Sequence, residues 1–177
     1  IGLLSILAAL AYTGGPYPLG YNGLGEVFVF LFFGLAAVGG TYYVQAQVFT
    51  AAALAVCVPL GLLIVAILVV NNLRDIDGDR AAGKRTLAAR CGAEWTRREY
   101  IACVGLAFLA PLAAALAGLL PFWALLCWLA APLAWRLVRA VNQDTGRALN
   151  RSLAGTGSLT LVFALLLSLG LVIAKII

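Results

Sequence analysis

Long apolar stretches separated by short polar segments dominate the chain. No charged side chain occurs in residues 27–73, 100–135 or 152–174. A helix needs about 20 apolar residues to cross a bilayer, so the first stretch holds two crossings and the second is interpreted in the same way. The pattern therefore predicts an all-α, polytopic transmembrane helical bundle, with apolar segments at 1–12, 25–44, 48–70, 99–118, 121–140 and 153–177.

Composition and charge placement agree with a protein embedded in the lipid bilayer. The 177 residues are 64% hydrophobic and 11% charged, whereas soluble domains are about 25% charged. Seven of the twelve Lys and Arg residues lie in 74–98 and four in 136–151. Basic loops face the cytoplasm, so we predict that both of these loops do. Nucleic acid is not a predicted partner, because the basic segments flank apolar spans.

The most polar segment, 71–98, carries the candidate catalytic chemistry. Asp75 and Asp79 are four residues apart, so on a helix they share a face with Cβ atoms about 5–6 Å apart. Two such carboxylates can hold Mg²⁺ and leave positions open for phosphate oxygens. Asp77 lies about 200° around the helix from Asp75 and is predicted to face away. The competing interpretation is a solvated loop whose charges form salt bridges.

Cations and amides next to the aspartates could meet the rest of a diphosphate. Lys84 is the favoured phosphate contact, with Arg74 and Arg85 as weaker candidates. Asn71 and Asn72, at the helix end, could orient ligands or bind phosphate. Histidine is absent and the four cysteines lack metal-ligand spacing, so neither a zinc site nor a disulfide framework is predicted.

Two further segments are candidates for lining or covering a site. Loop 13–24 is rich in Gly and Pro, which predicts a turn. It could cover the aspartates or be an ordinary interhelical connection. Glu26, Tyr42, Tyr43 and Gln45 could line an acceptor pocket, although tyrosines also occur in the aromatic belts of membrane proteins.

The motif Asn71-Asn72-x-Arg74-Asp75-x-x-x-Asp79-x-x-x-Gly83-Lys84-x-Thr86-Leu87 resembles the second aspartate-rich motif of the UbiA superfamily of intramembrane aromatic prenyltransferases. The resemblance extends to YTGGPYPLGYNGLGE at 12–26, GTYYVQ at 40–45 and ALN…LAGT at 148–156. It implies a Mg²⁺-dependent prenyltransferase that uses a polyprenyl diphosphate and an aromatic acceptor. The menaquinone branch is the nearest, with 1,4-dihydroxy-2-naphthoate as acceptor and demethylmenaquinone as product.

Two alternatives remain open at the level of sequence. A relative within the family could use another acceptor, such as 4-hydroxybenzoate, homogentisate or a chlorophyllide. A membrane transporter fragment is the alternative of a different class. A transporter would carry ionisable residues near the middle of its spans, whereas the charges here gather near one end of the predicted spans.

The resemblance also implies a domain organisation. The family has nine helices and two aspartate motifs, so residues 1–177 are expected to be a single membrane domain lacking about three N-terminal helices. Residues 71–98 are then the cytoplasmic loop that carries the second motif. The expected location is the bacterial plasma membrane, with the active-site loops on the cytoplasmic side.

Overall fold

The computed structural model describes residues 2–14 and 18–177, which form helices and connecting turns without a strand in these ranges. Five of the helices in this part of the chain are long and apolar enough to cross a membrane. The predicted all-α polytopic bundle is therefore confirmed. Along the chain the elements are α1 (Gly2–Thr13), a short 3₁₀ turn (Leu19–Asn22), α2 (Gly25–Ala46), α3 (Ala51–Arg74), α4 (Ile76–Ala81), α5 (Leu87–Cys91), α6 (Ala93–Leu116), α7 (Phe122–Gln143) and α8 (Gly146–Ile176).

The segment 71–98 is largely helical. Helix α3 continues to Arg74 and α6 already begins at Ala93, and the short helices α4 and α5 lie between them. Leu73 is buried, so the apolar face of α3 extends past the two asparagines. Gly92, at φ 84°, sets the start of α6. The irregular part of the motif is therefore limited to the junctions around the short helices.

Two helices contain turns that are not α-helical. The middle of α2, Phe30–Gly39, is π-helical. The first part of α7, Phe122–Ala130, is a 3₁₀ helix that continues into the α-helical Ala131–Gln143. Pro121 precedes this 3₁₀ helix, and Gly118, at φ 73°, makes the turn before it.

Helix α3 is the central element of the bundle, because α2, α6 and α8 all pack against it. Its side chains Leu63, Ala66 and Val69 are completely buried. Helix α2 approaches closely at a pair of glycines, since a Cβ added at Gly34 would lie 2.7 Å from the Cα of Gly61. Helix α3 is thus held on three sides, which fixes the position of the polar motif at its end.

Candidate functional site

The site begins where α3 ends. The backbone N–H of Asp75 donates to the carbonyl of Asn71 over 3.2 Å, and the N–H of Asp79 donates to the carbonyl of Asp75 over 2.8 Å. Asp75 itself lies at the junction of α3 and α4, with φ −101° and ψ 9°. The two aspartates are therefore one helical turn apart, as the sequence predicts, although Asp75 is between two helices and not inside one.

Arg74 binds Asp75 through the Nε–Nη2 edge of its guanidinium group. Its Nε donates to Asp75 Oδ1 over 2.7 Å and its Nη2 to Oδ2 over 2.5 Å. The same group donates to Asn71 Oδ1 and to Asn150 Oδ1, each over 2.9 Å. The bonds from Arg74 hold the pKa of Asp75 below its ordinary value of 3.8. Asp75 is thus ionised at neutral pH, and its side chain is 39% exposed.

Lys84 binds the second aspartate. Its Nζ donates to Asp79 Oδ1 over 2.9 Å, and its backbone N–H donates to the Asp79 carbonyl over 2.9 Å. The Asp79 side chain is 9% exposed and that of Lys84 is 32% exposed. The bond to Asp79, assisted by attraction to Tyr21 and Asp75, raises the pKa of Lys84 above its ordinary value of 10.5. The ammonium group is therefore charged and is attracted electrostatically to both carboxylates.

A buried hydrogen bond joins the motif to α2. Asn72 Nδ2 donates to Glu26 Oε1 over 3.0 Å, and both residues are buried. An amide whose NH₂ group is fixed in this way has its carbonyl oxygen pointing in a defined direction. Glu26 therefore lies at the motif and orients Asn72.

The segment 18–24 also packs against the motif. The backbone N–H of Arg85 donates to the carbonyl of Tyr21 over 2.7 Å. The ammonium of Lys84 lies 4.8 Å from the centroid of the Tyr21 ring. Residues 18–24 of loop 13–24 therefore lie beside the Lys84–Arg85 part of the motif, while residues 15–17 lie outside the described part.

The remaining predicted site residues differ in where they lie. Arg85 is exposed and contacts Tyr21 through its backbone N–H, and Asp77 is exposed on α4. Tyr43 and Gln45 are exposed near the other end of α2 from Glu26. The helical length between residues 26 and 43 is on the order of 20 Å. The structure therefore does not bring Tyr43 and Gln45 to the aspartates.

Tyr21 and Asn150 are the site residues that were not selected from the sequence. Asn150 reaches Arg74 across 76 positions of the chain, and Tyr21 reaches Lys84 from a separate loop. Both lie in stretches that carry the family resemblance, at 12–26 and 148–156. The available signal was thus the presence of those stretches, without an indication of which residue in them faces the motif.

The donor set suits a divalent cation that binds together with a diphosphate. In residues 2–14 and 18–177 no cluster of three or more Asp, Glu, His or Cys side chains could hold a metal. Asp75 and Asp79 offer carboxylate oxygens one turn apart, and Mg²⁺ commonly binds one or two carboxylates plus phosphates and water. Asp75 and Asp79 are therefore the residues that could hold Mg²⁺ together with a diphosphate.

The fold and this site define a class of protein: a polytopic membrane helical bundle with acidic and basic side chains gathered at one end of its central helix. The sequence profile described as the UbiA prenyltransferase family matches residues 1–155. The chain belongs to the UbiA prenyltransferase family.

Relatives within this family carry a specific name. The chain is 43% identical to the 1,4-dihydroxy-2-naphthoate octaprenyltransferase of Escherichia coli. The matched region covers 81% of the present chain and 47% of the relative. The proteins of the same name from Haemophilus influenzae and Mycobacterium tuberculosis are 40% and 42% identical, over 98% and 93% of the chain and 56% of each relative. The chain thus spans about half the length of these relatives. No solved structure matches it.

Proposed function

We propose that the protein transfers a polyprenyl group from a polyprenyl diphosphate to 1,4-dihydroxy-2-naphthoate. The observation that carries this proposal is the pair of ionic contacts, Arg74 with Asp75 and Lys84 with Asp79, on one helical turn at the end of α3. Such an arrangement is suited to an anionic head group whose tail lies among apolar helices. The names of the relatives supply the acceptor.

The chain's own residues would bind and orient the diphosphate. Asp75 and Asp79 would hold Mg²⁺, which supplies positive charge to the leaving group when bound. Lys84 and Arg74 would contact the diphosphate oxygens, where negative charge increases as the bond to the prenyl carbon breaks. Asn71 would fix the direction of Arg74, whose Nη2 donates to its Oδ1, while Asn72, oriented by Glu26, would turn its own carbonyl oxygen toward the site.

The apolar part of the bundle would protect the reaction from water. Breakage of the bond between prenyl carbon and oxygen gives an allylic cation, which water would capture. Val69, Val70 and Leu73 make the last turns of α3 before the motif apolar and buried, so water is excluded there. The acceptor ring carbon then bonds to the prenyl carbon and loses its carboxylate as CO₂. The product is demethylmenaquinol, the reduced form of demethylmenaquinone.

Placement in the membrane follows from charge. The basic residues gather at the end of the bundle that carries the motif, and basic loops face the cytoplasm. Diphosphate and acceptor would therefore reach the site from the cytoplasmic side of a bacterial plasma membrane, while the prenyl tail stays in the bilayer.

A comparison of four acceptors in separate reactions tests the function. The intact protein is reconstituted in liposomes with a polyprenyl diphosphate, Mg²⁺ and one of four acceptors: 1,4-dihydroxy-2-naphthoate, 4-hydroxybenzoate, homogentisate or a chlorophyllide. We expect prenylated product from the naphthoate, and none after chelation of Mg²⁺ with EDTA. Preferred transfer to another ring would contradict the acceptor. Solute uptake into the liposomes without transfer would support a transporter instead.

A further inference from the structure

We propose that Tyr21 is a positioning residue. Its ring keeps the ammonium of Lys84 at the site when a metal-bound diphosphate replaces that ammonium as the partner of Asp79. This inference rests on the proposed function. It assigns a role to the segment 18–24 that neither the aspartate motif nor the names of the relatives contain.

The contacts around Lys84 show two different kinds of partner. Asp79 accepts a hydrogen bond from the ammonium over 2.9 Å, and the face of the Tyr21 ring lies 4.8 Å from it at the centroid. An aromatic face attracts a cation within about 6 Å without providing a lone pair that competes for its N–H donors. The ring can therefore hold Lys84 while its N–H groups change from a carboxylate to phosphate oxygens.

The exchange would otherwise release a flexible side chain. If Asp79 binds a metal cation, the negative charge of its carboxylate, which holds Lys84 in this structure, is shared with that cation. Lysine has a long, flexible side chain with large rotamer entropy, so an ammonium without a second partner would spread over many rotamers. The Tyr21 ring restricts that spread, which favours the rotamers next to the diphosphate.

The position of the ring is set by the main chain. The Tyr21 carbonyl accepts from the Arg85 N–H over 2.7 Å, and Asn22 Nδ2 donates to the Pro18 carbonyl over 2.8 Å. Gly23 has φ 79°, and a Cβ there would lie 3.2 Å from the Arg85 carbonyl oxygen. These contacts do not involve the Tyr21 side chain. Its replacement therefore removes the ring and leaves the loop attached.

The first experiment compares Tyr21→Leu with Tyr21→Phe in the intact, reconstituted protein. We expect Tyr21→Leu to raise the KM for the polyprenyl diphosphate about three- to fivefold, the size of an exposed cation–π contact, with kcat changed less than about twofold. Tyr21→Phe retains the ring and should keep the wild-type KM. Phe122→Leu is the control, since Phe122 is also an exposed aromatic residue but lies at the start of α7, at the other end of the bundle. An unchanged KM in Tyr21→Leu, or an equal rise in Tyr21→Phe, would overturn the inference.

The second experiment is a double-mutant cycle with Lys84→Ala. We expect Tyr21→Leu to have no further effect on KM once Lys84 is removed. An equal rise in KM in the Lys84→Ala background would mean that the ring acts without Lys84. That result would contradict this inference and leave the proposed function standing. If Lys84→Ala itself left the KM unchanged, that result would contradict both this inference and the phosphate contact assigned to Lys84 in the proposed function. Should Tyr21→Leu be poorly produced, Tyr21→Gln, which also lacks a ring, is used with the same expectations.

Discussion

At the scale of single residues, Arg74 connects more of the site than any other side chain described. One guanidinium group reaches Asp75, Asn71 and Asn150. Arginine presents five N–H donors in a rigid plane, while lysine presents three on a flexible stem. The carboxylate of Asp75 is therefore held in place by a group that is itself fixed to α8.

The replacement Arg74→Lys tests this arrangement, because it retains the charge and removes the planar fork. We expect kcat/KM for prenyl transfer to fall about tenfold or more, since a single ammonium cannot keep all three partners. Arg98→Lys serves as the control, since Arg98 forms an exposed pair with Glu94, and exposed pairs contribute little. Wild-type activity in Arg74→Lys would show that the fork is unimportant.

Acid tests the Arg74–Asp75 contact through stability. The pKa of Asp75 is lower in the folded protein than its ordinary value of 3.8. The ionised pair thus contributes stability above that value, and the contribution is lost as pH falls through the lowered pKa. The difference in Tm between wild type and Asp75→Asn in detergent should be constant above about pH 5 and shrink below pH 3.8. A difference that stays constant into the acid range would contradict the pairing.

At the scale of elements, α8 joins the two ends of the bundle. Asn150, near its start, binds Arg74, while Gly170, near its end, lies against the backbone of Trp123 at the start of α7. Only a glycine allows that approach, because a Cβ at position 170 would overlap the Trp123 carbonyl group. The orientation of α8 therefore depends on one small residue far from the site.

Gly170→Ala should accordingly destabilise the protein by about 1–3 kcal/mol, the usual cost of overpacking. Gly157→Ala, on the same helix, is the control, because a Cβ there meets no described atom within 4 Å. We expect the control to be neutral or slightly stabilising, since alanine favours helix by up to about 1 kcal/mol over glycine. Thermal unfolding in detergent measures both. Equal Tm values for the two variants would contradict the packing of α8 on α7.

At the scale of the whole molecule, the bundle is polarised, with the motif and most cations at one end. Single cysteines at Ala82, Gln143 and Leu119, in a background without the four native cysteines, would report this. We expect an impermeant thiol reagent to label positions 82 and 143 from the cytoplasmic side and position 119 from the other. Labelling of 82 and 143 from opposite sides would contradict the topology.

The sequence predicts the spans well, because a helix in lipid must satisfy its own backbone and so leaves a long apolar stretch. It does not predict the π-helical part of α2 or the 3₁₀ start of α7. Those depend on local packing, as at Gly34 and Gly61. The helix ends at Arg74 and Ala93 were also missed, because polar residues continue both helices there.

The site was predicted in part. The spacing of Asp75 and Asp79 follows from local sequence, and so does the nearness of Lys84. Tyr21 and Asn150 come from distant segments, and periodicity within one helix cannot show which of their neighbours they meet. The sequence assigned Arg74 and Lys84 to phosphate, whereas the structure first pairs each with an aspartate.

The most direct test of the account measures the affinity of the intact protein for a polyprenyl diphosphate with and without Mg²⁺. Asp79→Asn is compared with Asp77→Asn, which makes the same change at an exposed position of the same short helix. We predict that Asp79→Asn weakens binding about tenfold or more and abolishes its dependence on Mg²⁺, while Asp77→Asn behaves as the wild type. Unchanged, Mg²⁺-dependent binding by Asp79→Asn, or an equal loss in both variants, would contradict a diphosphate site built on this turn.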